Sequence, residues 1–261
     1  MQLALSWSGG KDSTLALERL RQDSSASGAA VEVAALVTTV TRDFGRVSMH
    51  GVRTELVRAQ AAALGLPLVE VEIAAGAGND AYEAAFAGAL ADLASCRGTA
   101  RRAQPPSVDR AVDHGGGLRP RARHAVPLHD AVGTMAFGDL FLSDIRAYRE
   151  RQMQAAGWNA LFPLWGEDTA ALARRFVASG YRAILVTVDP RQLDPAWVGR
   201  DLDAAALAEL PAGVDPCGEN GEFHTFVWDG PIFSRPVPVV RGERVARDGF
   251  WFCDLQGGEH G

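Results

Sequence analysis

The chain has 261 residues, enough for one large domain or two small ones, and its 47% hydrophobic and 22% charged residues are the balance of an ordinary globular protein. A net charge of −6 gives no general attraction to nucleic acid, and no apolar run approaches the ~20 residues of a membrane span. Cys96, Cys217 and Cys253 are isolated and form no Cys-x-x-Cys pair, which argues against structural zinc or a disulfide framework and fits a reducing cytoplasm.

Leu3-Ala4-Leu5-Ser6-Trp7 predicts a short buried strand, and the chain runs into it so directly that no signal peptide is expected. A helix is predicted from Asp12-Ser13-Thr14, with Leu15, Leu17 and Leu20 as its apolar positions. Val31 to Val40 predicts a second strand, and Val52 to Leu64 a helix closed by Gly65. Leu68 to Ile73 follows as a third strand, with Pro67 just before it, then a helix from Asp80 to Ala94.

Residues 97–124 break the pattern. They hold seven arginines against Asp109 and Asp113, a local balance of +5 that leaves −11 for the rest of the chain. With Pro105-Pro106 and Gly115-Gly116-Gly117 and no period, the segment reads as a mobile surface insertion. The sharper alternative is an arginine-rich arm for RNA or an acidic protein. His114, His124 and His129 are too irregularly spaced to suggest a metal site.

After the insertion, Thr134 to Phe137 predicts a strand ending at Gly138-Asp139, then a helix from Ser143 to Ala156 with Ser143 as its N-cap. This βαβα alternation implies a parallel sheet with helices on both faces, whose ligands bind at the carboxyl ends of the strands. Ser8, Thr39 and Asp139 all follow strands, so they can line one crevice. The second half has another texture: an aromatic connection from Trp158 to Gly166, a helix from Thr169 to Ser179 and a strand from Tyr181 to Val188. Strands are then predicted at Phe223 to Trp228, Val237 to Val240 and Val245 to Phe252, with Arg241-Gly242-Glu243-Arg244 as the hairpin turn between the last two. The expected division is a nucleotide-binding domain over 1–156 and a smaller α+β domain over 157–261.

Two stretches carry chemistry. In Ser8-Gly9-Gly10-Lys11-Asp12-Ser13, two glycines let the backbone turn tightly between strand and helix, where free N–H groups and the helix dipole favour a phosphate. Ser8 and Ser13 add hydroxyl donors. Lys11 is the chain's only lysine beside 25 arginines, a bias suggesting a high-GC genome. A compact ammonium retained in this setting reaches a crowded phosphate as a planar guanidinium cannot. The spacing excludes a Walker P-loop, which needs four residues between its first glycine and the Gly-Lys pair. The second stretch is Cys217-Gly218-Glu219-Asn220-Gly221-Glu222-Phe223-His224-Thr225. Carboxylates beside an imidazole can bind an amine or ammonium and move its proton. On residue types alone, a polar turn leading into a strand, with His224 hydrogen-bonded for structure, explains it at least as well.

SGGKDS after the first strand resembles the PP-loop of the N-type ATP pyrophosphatases, which cleave ATP between the α and β phosphates. GENGEFHTFVWDGPIF (218–233), FGDLFLSDIRAYRER (137–151), FPLWGEDTAALA (162–173) and the Met49-His50-Gly51 step are similar to the diphthine–ammonia ligase-like branch of that superfamily. Together these cover most of the chain outside the insertion. His224 stands where typical eukaryotic ligases of the branch often carry an acid. The resemblance implies a PP-loop ATPase fold (adenine nucleotide alpha hydrolase-like) and a two-step ligation. ATP activates a carboxylate as an acyl-adenylate with release of pyrophosphate, and ammonia displaces AMP to leave an amide.

In this reading Ser8, Gly9, Gly10, Lys11, Asp12 and Ser13 hold the nucleotide together with Thr39, Gly138 and Asp139. Lys11, Glu222 and His224 carry the catalysis, while His50, Glu219, Glu222 and Thr225 receive the acceptor. Mg²⁺ is expected to accompany ATP, with Asp12 and Asp139 the nearest carboxylates, although helix capping accounts for Asp12 nearly as well. The expected partners are ATP, an acceptor carboxylate and ammonia, in the cytoplasm, and a homodimer is one assembly this allows. The functional rival is an adenine nucleotide alpha hydrolase or an ATP-binding protein without ligase activity. A second polar site favours the ligase. A sulfur-transferring tRNA enzyme is the weaker third option, because paired cysteines are lacking.

Overall fold

The computed structural model describes residues 1–27, 31–95 and 133–258. The 97–124 insertion, Cys96 and the three histidines at 114, 124 and 129 therefore lie outside the described residues. The order along the chain is β1 (Gln2–Ser6), α1 (Lys11–Ser27), β2 (Glu32–Thr41), β3 (Arg46–Val47), α2 (Thr54–Leu64), β4 (Leu68–Ile73), α3 (Asn79–Ser95), β5 (Thr134–Ala136), α4 (Ser143–Ala155) and β6 (Asn159–Leu161). It continues through α5 (Thr169–Ala178), β7 (Arg182–Val188), α6 (Ala204–Glu209), β8 (Phe223–Asp229), β9 (Val239–Arg247) and β10 (Phe250–Gly257). Among the described residues no helix is long and apolar enough to cross a membrane.

The first sheet runs β4-β2-β1-β5-β6 with all neighbours parallel, and β3 adds a short antiparallel pairing to the end of β2. Side chains alternate along β1, and the alternation builds two cores. Leu3 and Leu5 point to one face with Leu15 and Leu17 of α1 and Leu56 and Val57 of α2. Ala4 points to the other, where Phe86 and Leu90 of α3 and Met153 of α4 cover it. The expected parallel sheet with helices on both faces is thus the observed one. Its chain order reverses between β1 and β5, the kind of switch point where a crevice opens beyond the strand ends.

The second sheet is antiparallel in the order β8-β7-β10-β9, with α5 and α6 as its local helices. Phe176 of α5, Leu185 of β7 and Phe226 of β8 belong to the same hydrophobic cluster as Leu3 and Leu5, so one face of the first sheet and the second sheet share a core. Asp254 of β10 ties the two parts together at the surface. Both its oxygens bind Arg53 (3.0 and 2.7 Å), and one also binds Arg46 (2.8 Å).

Several sequence expectations are corrected. Residues 241–244 lie inside β9, and the hairpin turns at Asp248-Gly249, both with positive φ (52° and 83°). That is the primed-turn geometry that Asp-Gly favours and that the right-handed twist of the strands selects. Ser143 is the first residue of α4; Leu142 occupies the cap position and makes no side-chain cap bond. The aromatic connection contains β6, which pairs with β5 and so carries the first sheet beyond residue 156. Gly65 ends α2 in the left-handed conformation at φ 68°, as its position suggested.

Candidate active site

The loop after β1 is shaped by hydrogen bonds to its own backbone. Gly9 sits at φ 79°, where a Cβ is strained, and an added Cβ would also stand 2.6 Å from Gln60 Oε1. Gly10 N–H donates to Ser8 Oγ (3.2 Å), while Ser13 Oγ and Thr14 Oγ1 donate back to the Gly10 carbonyl (3.0 and 2.9 Å). These bonds fix the turn into α1, which begins at Lys11.

The second motif is docked onto this loop. Lys11 N–H donates to Thr225 Oγ1 at 3.0 Å, and Val227 N–H donates to the Gly9 carbonyl at 2.9 Å. β8 is an edge strand of the second sheet, and the loop covers the backbone that β8 would otherwise leave unpaired. Gln60 of α2 completes the joint. Its amide nitrogen donates to the carbonyls of Gly9 (2.9 Å) and Val227 (2.5 Å), and its oxygen accepts from Trp7 Nε1 (3.0 Å).

Between the two motifs lies a cleft of about 210 Å³. It is lined by Ser8, Gly10, Asp12 and Ser13 from the first motif, by Gly138 and Asp139 beyond β5, and by Glu219, His224, Thr225 and His50. Gly138 has to be small here, because a Cβ would come within 3.0 Å of the Asp12 backbone. Thr39 is not in the lining. It lies within β2, where its carbonyl accepts from Ser48 N–H (3.0 Å). Lys11 and Glu222 are buried behind the surface of the cleft.

The electrostatics are uneven. Lys11 is fully buried and paired with Asp12. Burial disfavours its ammonium, but the Asp12 carboxylate and the nearby Cys217 outweigh that, so its pKa is raised. Asp12 is itself pushed up by burial, against the pull of Lys11. Glu219 accepts from Leu140 N–H at 2.7 Å, yet burial pushes it up to about 7, with Asp12 and Asp139 adding to the rise. The half-buried rings of His50 and His224 lie 4.4 Å apart. Burial holds His224 down at about 4, with Glu222 opposing, and burial beside His224 holds His50 well below its ordinary value. Both imidazoles are therefore neutral at pH 7. Among the described residues, His50 Nδ1 and Glu222 Oε2 are buried polar atoms without a hydrogen-bond partner.

Three residues outside the expected set hold this arrangement. Asp215 organises the glutamate loop: its N–H donates to Glu222 Oε1 (2.9 Å), and Oδ1 accepts from the N–H groups of Cys217 (2.9 Å) and Glu219 (3.3 Å). Its other oxygen accepts from Thr169 Oγ1 at 2.6 Å. Gln60 clamps the loop as described, and Arg149 of α4 reaches into the cleft beside Asp139. Only Arg149 had a sequence signal, since it lies within the 137–151 stretch.

Comparison with known proteins covers both parts of the chain. A family model described as Diphthamide synthase N-terminal domain matches residues 1–99, and one described as Diphthamide synthase C-terminal domain matches residues 168–258. The diphthine–ammonia ligase of Rattus norvegicus is 34% identical over 110 residues, which is 40% of this chain and 41% of the relative. That of Schizosaccharomyces pombe is 27% identical over 132 residues, 49% of this chain and 22% of the relative. That of Danio rerio is 38% identical over 87 residues, 31% and 34% of the two chains. The chain thus spans less than half the length of these curated relatives.

Proposed function

The chain belongs to the diphthamide synthase family, the diphthine–ammonia ligase-like branch of the PP-loop proteins, and on that premise we propose that it is an ATP-dependent ligase joining ammonia to a carboxylate. The observation that carries this reading is the docking of the second motif on the loop. Thr225 and Val227 bind Lys11 and Gly9, which puts Glu219 and His224 on the same cleft as Ser8 and Ser13. A nucleotide sensor has no need of that second polar wall.

In the first step the acceptor carboxylate attacks the α-phosphate and pyrophosphate departs. The N–H groups at the start of α1, the hydroxyls of Ser8 and Ser13, and the charge of Lys11 stabilise the negative charge that gathers on the leaving group. Mg²⁺ fits beside them. Asp12 and Asp139 offer hard oxygen donors to the cleft, and among the described residues no three acidic, histidine or cysteine groups are gathered to hold an ion alone. Such a pair suits an ion that arrives on the nucleotide, and Mg²⁺ when bound neutralises phosphate charge.

In the second step ammonia adds to the acyl carbon and AMP leaves. The nitrogen of the adduct is far more acidic than free ammonium, and its proton needs an acceptor. His224, on the cleft and neutral at pH 7, supplies one, and the carboxylate of Glu222 buried nearby favours the imidazolium that forms.

The test is product analysis after incubation with ATP, Mg²⁺, an ammonium salt and a panel of carboxylic acids as acceptors. AMP and pyrophosphate without ADP are expected; ADP and phosphate as main products overturn the assignment. Glu222→Gln and His224→Ala should bind α,β-methylene-ATP as the wild type does while losing ammonia-dependent AMP formation. Loss of nucleotide affinity in both would move the cluster to the ATP site or to the fold.

A further inference from the structure

The charged side chains lining the cleft that would receive a polyanion are mostly acids. Asp12, Asp139 and Glu219 face it, and Lys11 lies beneath its surface, committed to Asp12. Among the described residues lining it, Arg149 is the one cationic side chain.

Arg149 is also held unusually firmly for a side chain that is 26% exposed. Its Nε donates to the Asp139 carboxylate at 2.9 and 3.3 Å. Its guanidinium carbon lies 4.6 Å from the centroid of the Phe137 ring. Phe137 and Asp139 both come from the segment after β5, so two points outside α4 orient the guanidinium. Asp139 engages only Nε. The two terminal amino groups carry four further N–H donors, and a fork held at its stem is already oriented for an oxyanion. It lines the same cleft as Ser8, Gly10, Asp12 and Ser13, the loop and first turn of α1.

We propose that Arg149 is a nucleotide-binding residue whose terminal amino groups hold a phosphate of the bound nucleotide in the cleft it lines together with the loop. The assignment rests on the ATP-dependent reading given above. Asp139 and Phe137 act as positioning residues: they set the guanidinium plane and leave the phosphate contact to Arg149.

Calorimetric titration of the full chain with ATP, AMP, inorganic pyrophosphate and adenosine tests this in the wild type, Arg149→Met and Arg149→Lys. A charge-assisted hydrogen bond of ordinary strength predicts about 10- to 100-fold weaker ATP binding in Arg149→Met, with adenosine affinity unchanged. Arg149→Lys keeps the charge without the fork and should fall between the two; it also carries the test if the methionine variant does not fold. Weaker AMP binding places the contact on the α-phosphate, and weaker pyrophosphate binding on the outer phosphates; either supports the assignment. ATP affinity within twofold of wild type in a folded Arg149→Met overturns it, as does an equal loss of adenosine affinity. A wild type that binds no ATP overturns the ligase reading itself, which sets that failure apart from this one.

Discussion

Gln60 offers the sharpest test of how the loop is held. Its side chain is fully buried and makes three hydrogen bonds, to Trp7, Gly9 and Val227. Gln60→Leu keeps the approximate shape and removes all three. The Gly9 carbonyl retains the Val227 N–H, so the groups left buried without a partner are the Trp7 indole N–H and the Val227 carbonyl. At about 1–3 kcal/mol for each stranded group, less what the apolar side chain regains, the loss is about 3 kcal/mol. That corresponds to a fall in Tm on the order of 6 °C for a chain of this size. Gln60→Glu makes a stricter demand. A carboxylate can still accept from Trp7, but it turns an acceptor toward two carbonyl oxygens and buries a charge, so it should be less stable than Gln60→Leu at pH 8. Urea unfolding followed by circular dichroism measures both. A leucine variant within ~1 kcal/mol of wild type, or a glutamate variant more stable than the leucine one, refutes the argument.

Three other outcomes follow from the site. Lys11→Arg should lower the rate of AMP formation at least ~10-fold although charge is kept, because a wide fork does not fit a fully buried ammonium pocket; a variant as fast as wild type removes the case for a point charge there. Asp215→Ala frees the N–H groups of Cys217 and Glu219 and should slow turnover while leaving ATP affinity within about twofold; an unchanged rate would show that the glutamate loop holds its shape alone. The pH dependence of stability has a defined sign: His224 has its folded pKa below its unfolded one, so stability falls as pH drops from 6.5 toward about 4, by at most roughly 3 kcal/mol. Glu219, raised to about 7, slopes the opposite way, gaining stability as pH falls from 7 toward 4.5. His224→Gln should flatten the acid limb, and identical limbs in urea titrations of the two proteins would rule out its titration as the cause.

The first sheet was legible in the sequence because its strands are short apolar runs bounded by clear signals. Leu68 to Ile73 is observed with the expected limits, and Gly65 ends α2 where its lack of a Cβ allows a left-handed turn. The turn between β9 and β10 was misplaced because Arg-Gly-Glu-Arg looks polar and turn-like. Asp248-Gly249 was the stronger signal, having two adjacent residues able to take positive φ. β6 was hidden by its length, three residues in an aromatic stretch that only pairing with β5 makes a strand. The clamp by Gln60 left no local trace. Its partners are mostly backbone groups, and they come from segments 51 and 167 residues away. Asp215 likewise precedes the glutamate motif and acts on it through N–H groups, which have no side-chain signature.

The bond from Lys11 to Thr225 joins residues 214 positions apart. At ~5–20 residues per second, a ribosome needs roughly 10–40 s to travel between them. During that interval the nascent chain has its glycine turn but neither the hydroxyl nor the strand that steadies it. The joint between the glycine turn and β8 is therefore made only once β8 has been synthesised, and a chain that stalls or is cut short before β8 never makes it.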